Sequence, residues 1–161
     1  MRLCRFDTDR LGVLRGDRIV DVTSALDSIP AVRWPLDPGD LLISNLDRLR
    51  GMIEHLADEG ISRHLADCAL KSPVANPSKI IGAPKNYSEP GNTEERVNTL
   101  ERDGLFIKAT TAISGPSDGI ELAPVRGREV IHEVELAAVI GSWCRNVTRE
   151  RALDHVAGYT V

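Results

Sequence analysis

Residues 129–141, EVIHEVELAAVIG, carry the clearest pattern in the chain. Successive side chains of a β-strand point to opposite faces of the sheet. Both faces of this stretch would be mainly apolar, which predicts an interior strand covered on both sides. One of these faces nevertheless carries two carboxylates, Glu133 and Glu135, two residues apart.

A carboxylate pair on a buried strand needs compensation. Burying an ionised carboxylate costs several kcal/mol unless a cation or hydrogen-bond donors lie beside it. A divalent cation bound between Glu133 and Glu135 would meet this need, and hard oxygen ligands favour Mg²⁺, Mn²⁺ or Ca²⁺ over Zn²⁺. A strand that simply faces water would also carry Glu at alternate positions. Both interpretations remain open from the pattern alone.

Length, charge and cysteine content limit the classes of partner. The 161 residues are 42% hydrophobic and 27% charged, as expected for one globular domain or two small ones. The net charge is −4 and the basic residues do not cluster, which argues against nucleic acid. No apolar run approaches the ~20 residues of a membrane span. A charged N-terminus and an odd number of cysteines favour a cytoplasmic protein that binds no membrane.

Residues 1–77 are predicted to form a small β-meander and helix domain. Strands are expected at 1–6, 11–14 and 18–22. A helix is expected from the N-cap residue Asp40 to Gly60, because apolar residues recur there at helical spacing. A second short helix is expected at 61–70. Prolines in the segment KSPVANPSK place a domain boundary near residue 77.

Residues 78–161 are predicted to form a second, mainly β unit. Strands are expected at 79–82, 105–109, 120–123 and 129–141, and a helix is expected at 149–156 behind an N-cap at Thr148. The composition of the polar segment 88–102 suits either a lid loop or an ordinary surface connection. Residues 159–161 begin another strand, and a domain seldom stops there, so we expect the chain to be truncated.

Five motifs resemble the fumarylacetoacetate hydrolase family in their order and spacing. They are KIIGAPKNY at 79–87, LFIK at 105–108, SGPSD at 114–118, HEVELAAVIG at 132–141 and NVTRERALDHVAGYTV at 146–161. The first 22 residues also resemble the small N-terminal domain of many bacterial members. The resemblance covers most of the chain, and the E-V-E-L run followed by A-G-Y-T is its most specific part.

The resemblance implies an α+β, mainly β fold: a mixed β-roll, incomplete here, behind a small N-terminal domain. Family members are usually homodimers. It further implies that Glu133 and Glu135 bind Mg²⁺ or Mn²⁺, while the third ligand is an Asp in an N-D motif that would follow residue 161. The implied substrates are acylpyruvates and related 2-oxo or enol acids, as in aromatic catabolism. The implied reactions are C–C bond hydrolysis, decarboxylation or isomerisation.

The resemblance also implies roles for individual side chains. Lys108 matches the lysine of the family's F-x-K motif, and Tyr87 belongs to its N-Y motif, so both are expected to bind substrate. Many members carry a catalytic His where this chain has Pro90. A carboxylate of the lid, Glu94 or Glu95, is therefore the expected acid–base group.

Two non-catalytic alternatives remain at this point. The missing His and the early end of the chain favour a truncated, inactive member that serves as a binding or oligomerisation module, or a gene fragment. A Ca²⁺-stabilised β-domain without turnover is the second.

Overall fold

The computed structural model describes residues 1–87, 99–122 and 124–161, which form an α+β fold with antiparallel sheets. The first 71 residues contribute a five-stranded sheet with strand order β4-β3-β2-β1-β5. Its strands are β1 (Leu3–Phe6), β2 (Arg10–Arg15), β3 (Arg18–Asp21), β4 (Ser62–His64) and β5 (Leu70–Lys71). The predicted meander of the first three strands is confirmed.

The tight connections of the meander depend on backbone conformations that few residues adopt. Gly16 joins β2 to β3 with a φ of 62°, a left-handed conformation that costs glycine little. Asp7 and Asp9 have positive φ between β1 and β2, and aspartate tolerates this conformation better than most side chains. Strands β2 and β3 therefore form a tight hairpin, in which Arg15 is the register partner of Arg18.

The helix predicted at 61–70 is wrong. This stretch forms β4, a single 3₁₀ turn and β5. Backbone bonds to distant residues hold it extended: Leu65 N–H donates to the Asp17 carbonyl at 2.8 Å, and Asp7 N–H donates to the Ala69 carbonyl at 2.7 Å. Ile61, which would begin such a helix, is instead 85% exposed.

The helical prediction from residue 40 onwards is confirmed, with one interruption. Helix α1 spans Leu41–Ser44 and α2 spans Leu46–Glu59. The Asp40 carboxylate accepts hydrogen bonds from the Leu42 and Ile43 amides at 3.0 and 3.2 Å, which caps the first turn. Helix α2 packs its apolar stripe on the sheet and closes the core. The buried residues of that core are Leu11, Val13, Val22, Ala25, Leu46, Leu49, Ile53 and Ala57.

The second part of the chain contains two separate hairpins. Strand β6 (Ile80–Gly82) pairs with β7 (Phe106–Lys108), and β8 (Ala137–Ile140) pairs with β9 (Val156–Thr160). The strands expected at 79–82 and 105–109 are thus confirmed with shorter bounds. Helix α3 (Thr99–Asp103) lies between β6 and β7. The described sheets do not join into one roll, so the mixed β-roll stays a prediction.

Three local predictions for this part are wrong. The strand expected at 129–141 is restricted to β8, because only its last residues find a partner strand. No strand forms at 120–122. The helix expected at 149–156 is a 3₁₀ segment, Arg149–His155, and Thr148 makes no side-chain cap bond to its backbone.

Burial differs sharply between the two parts. Among the described residues after 78, only Gly115 is buried. Many large apolar side chains of the second part are more than half exposed, including Ile107, Ile131, Val134, Trp143 and Leu153. None of the described helices has the length and apolar character needed to cross a membrane.

Candidate metal and substrate site

The two predicted metal ligands lie in an extended segment that leads into β8. Glu133 and Glu135 are both exposed and precede the first paired residue, Ala137. The prediction that they share a covered interior strand is therefore wrong in this structure. The physical reason is that no described strand pairs with residues 129–136, so the desolvation that would require a cation is absent.

The chemistry of the pair still suits a hard divalent cation. Neither carboxylate makes an ion pair or hydrogen bond with a described residue, so their oxygens remain available to a ligand. Alternate residues of an extended chain place both side chains on one side. Within the described ranges, however, no group of three His, Cys, Asp or Glu side chains is placed to hold a metal. These residues fit two positions of a metal site and do not complete it.

Tyr87 lies beside the segment that carries the glutamates. Its hydroxyl oxygen accepts a hydrogen bond from the Leu136 backbone N–H at 2.7 Å. Leu136 directly follows Glu135, so this bond joins two motifs that are 49 residues apart in sequence. Tyr87 is 58% exposed, and its hydroxyl proton remains free to donate to a further acceptor.

Lys108 ends β7 and faces solvent. It is the register partner of Ile80, and its ammonium lies 5.8 Å from the centre of the Phe106 ring, within range of a cation–π contact. No ion pair joins Lys108 to a carboxylate of a described residue. Its charge is thus available to an anion, although no described contact links it to Tyr87 or to the glutamates.

Glu94, the predicted acid–base group, falls outside the described residues.

Sequence reasoning gave no role to Asp118, which the structure places in a network of contacts. The Lys71 ammonium donates to its carboxylate at 2.5 Å, and the Gly115 N–H donates to the other oxygen at 2.8 Å. These donors hold the pKa of Asp118 below its usual value. The sequence signal for Asp118 was its place in the Ser-Gly-Pro-Ser-Asp motif. The composition of this motif indicates a turn and gives no information about its contact with a distant strand.

A model of the fumarylacetoacetate (FAA) hydrolase C-terminal domain matches residues 79–161. The chain belongs to the fumarylacetoacetate hydrolase family. This confirms the resemblance seen in the motifs. The match covers both Glu residues, Tyr87 and Lys108.

Relatives extend the similarity over the N-terminal part. A maleylpyruvate hydrolase of Aquipseudomonas alcaligenes is 42% identical over 172 residues, which cover 100% of this chain and 60% of that protein. The oxaloacetate tautomerase fahd2 of Xenopus laevis, a mitochondrial protein, is 33% identical over 169 residues, covering 100% of this chain and 50% of that protein.

A solved structure agrees with the fold. The maleylpyruvate hydrolase from Sphingobium sp. SYK-6, in complex with manganese (II) ion and pyruvate, superposes with a TM-score of 0.79 at 44% identity. The superposition covers 99% of this chain and 56% of that one. The chain therefore spans about half to three fifths of the length of the proteins it matches.

Proposed function

We propose that this chain is part of a divalent-metal-dependent enzyme that hydrolyses a C–C bond in acylpyruvate-like 2-oxo or enol acids. The observation that carries the proposal is the similarity to maleylpyruvate hydrolase, which extends over the whole chain at 42% identity. The second part, 78–161, would form the catalytic core as a section of a mixed β-roll, and residues 1–77 would form the N-terminal domain.

Glu133 and Glu135 would hold the metal. Their carboxylates suit Mg²⁺, Mn²⁺ and Ca²⁺. The manganese in the Sphingobium structure supports Mn²⁺ as the first of these to test. When bound, such a cation polarises a carbonyl and stabilises a developing enolate. Further ligands would have to come from water, substrate or residues beyond those described.

Three other side chains would bind substrate and move its protons. The ammonium of Lys108, which pairs with no carboxylate among the described residues, suits the carboxylate of a 2-oxo acid. Tyr87 would fix the position of segment 129–136 through Leu136 and donate its hydroxyl proton to a substrate oxygen. Glu94 would serve as the acid–base group, since no His stands between residues 86 and 131.

We further propose that the enzyme is a cytoplasmic homodimer. The exposed apolar side chains of the second part support a protein-covered surface there. A non-catalytic module has no support from relatives, because the similar proteins described above carry the names of enzymes.

A second candidate activity is isomerisation. The relative named oxaloacetate tautomerase favours it at 33% identity. Hydrolysis and tautomerisation of a 2-oxo acid both need a stabilised enolate, so one site could serve either reaction.

The test compares the two reactions on the protein that carries this chain, loaded with Mn²⁺. Hydrolysis of maleylpyruvate consumes one water and releases pyruvate, which a coupled assay measures. Conversion of enol-oxaloacetate to its keto form is followed by ultraviolet absorbance. We expect pyruvate release to be the faster reaction and to disappear with a metal chelator. Faster tautomerisation would favour the second candidate, and the absence of both reactions would contradict the proposal.

A further inference from the structure

The motif at 114–118 reaches across the expected domain boundary to β5, the strand at one edge of the N-terminal sheet. Ser117 N–H donates to the Leu70 carbonyl at 3.3 Å, and Leu70 N–H donates to the Ser117 hydroxyl at 2.9 Å. An edge strand exposes unpaired backbone groups. The loop satisfies both groups of Leu70 and so caps this edge.

The loop approaches the strand too closely for any side chain at residue 115. A Cβ on Gly115 would lie 2.6 Å from the Lys71 Cα and 2.9 Å from the Leu70 carbonyl oxygen. Both atoms belong to the backbone and cannot rotate away. Gly115 is also the one buried residue among those described after 78. The glycine is therefore required by contact between the two parts of the chain.

An ion pair completes the contact. The Lys71 ammonium lies 2.5 Å from one Asp118 oxygen, while the other oxygen accepts the Gly115 N–H. Asp118 N–H in turn donates to the Gly115 carbonyl at 3.0 Å. Asp118 thus holds the loop in shape and attaches it to β5 at the same time.

The N-terminal part also binds residues 72–76, which follow β5. The Asp40 carboxylate, which caps α1, also accepts from the Ala75 and Asn76 amides at 2.6 and 3.1 Å. The Arg5 guanidinium donates to the Ser72 carbonyl at 3.0 Å. Residues 70–76 are consequently bound by the first 40 residues and by the 114–118 loop.

We propose that the 114–118 loop is an intramolecular latch that fixes the N-terminal sheet to the strand bearing Lys108. Lys108 lies only six residues before the loop, and a 3₁₀ turn, Thr110–Ala112, is the sole regular element between them. Gly115 and Asp118 are then positioning residues, because they fix the loop and thereby the position of Lys108 through the intervening residues 109–113. The latch stands on the contacts alone, whereas its effect on Lys108 rests on the proposed function.

The latch is tested by amide hydrogen exchange on the 161-residue chain. Gly115→Ala forces backbone apart, and Asp118→Asn removes the charge at an exposed position where the fold should survive. Gly51→Ala is the matched control, because an added Cβ there meets nothing within 4 Å. We expect the Leu70 and Ser117 amides to exchange about tenfold faster in both test variants. A tenfold change corresponds to the loss of roughly one charge-assisted hydrogen bond. Exchange equal to that of the control would overturn the latch.

Positioning of Lys108 is tested by kinetics on the protein that carries this chain. If Lys108 binds the substrate carboxylate, Asp118→Asn should raise the KM for maleylpyruvate several-fold and leave kcat within about twofold. Restoration of KM by the charge-exchanged pair Lys71→Asp/Asp118→Lys would support coupling through the ion pair. Faster exchange with an unchanged KM would overturn the positioning role. A wild-type protein without turnover would instead count against the proposed function, and exchange would still test the latch.

Discussion

At the scale of single residues, short polar contacts hold distant segments together. Asp7 is the clearest case: its carboxylate accepts from the Ala69 N–H at 3.0 Å and from the Arg63 guanidinium at 2.6 Å. The Ala69 amide and then Arg63 hold the pKa of Asp7 below its usual value. Burial raises the pKa of Asp21, but hydrogen bonds from Thr23 and Arg10 outweigh it and leave that pKa lowered.

These lowered pKa values predict acid sensitivity. A carboxyl whose folded pKa is depressed binds fewer protons in the folded state, so its contribution is present above the unfolded pKa of about 4. That contribution is lost as pH falls through the lower folded value. We expect the urea concentration at the unfolding midpoint to decrease as the pH is lowered from 6 to 3. The Asp7→Asn variant should show a smaller decrease. Asp27→Asn, at an exposed position without a described partner, should leave the pH dependence unchanged. A midpoint independent of pH would contradict the assignment.

Residue identities predicted the candidate site only in part. The motifs correctly identified the family, and with it Glu133, Glu135, Tyr87 and Lys108 as candidates. No local pattern indicated that Tyr87 accepts the Leu136 N–H, because that bond joins segments far apart in the chain. Nor did alternation distinguish a covered strand from an exposed one, since the pattern is the same until a partner strand is known.

At the scale of elements, local periodicity succeeded where neighbours in sequence are also partners in space. Strands β1 to β3 pair consecutively, and α2 covers them, so the alternating and helical patterns were sufficient. The failures at 61–70 and 129–136 share a cause. Whether these segments become strands depends on residues tens of positions away, and propensity carries no information about such partners.

The packing of α2 on the sheet should dominate the stability of the N-terminal part. Ile53 is fully buried, whereas Ile61, just beyond the helix, is 85% exposed. Ile53→Ala should lower the free energy of unfolding by about 2–5 kcal/mol, through lost transfer energy and an unfilled cavity. Ile61→Ala removes the same atoms from a solvated position and should change it by less than about 0.5 kcal/mol. Urea unfolding measures both, and equal losses would contradict the assigned core.

At the scale of the whole molecule, the chain combines one closed core with a second part that is largely uncovered. The buried residues of the described core all lie within residues 11–57, and Ala157 of the second part packs against them. Beyond residue 78 every strand of the hairpins β6–β7 and β8–β9 carries an exposed large apolar side chain: Ile81, Phe106, Ile107, Ile140 and Tyr159. Such surface is characteristic of protein contacts that are not formed within these residues.

We therefore expect the isolated 161-residue chain to self-associate. Sedimentation velocity should show a mass above 17.6 kDa that rises with concentration, because apolar surface and open strand edges favour pairing between copies. A dye that fluoresces on apolar surface should bind in the same concentration range. A monodisperse monomer that binds no dye would show that the second part is covered in solution.

The central claim is that Glu133 and Glu135 hold a divalent cation, and isothermal titration with Mn²⁺ tests it most directly. The comparison is between the wild-type protein, the double variant Glu133→Gln/Glu135→Gln and the control Glu121→Gln, which changes another exposed glutamate. We predict that the wild type and the control bind one Mn²⁺ with the same affinity and that the double variant loses at least about tenfold. Equal Mn²⁺ affinity in all three proteins would contradict the claim.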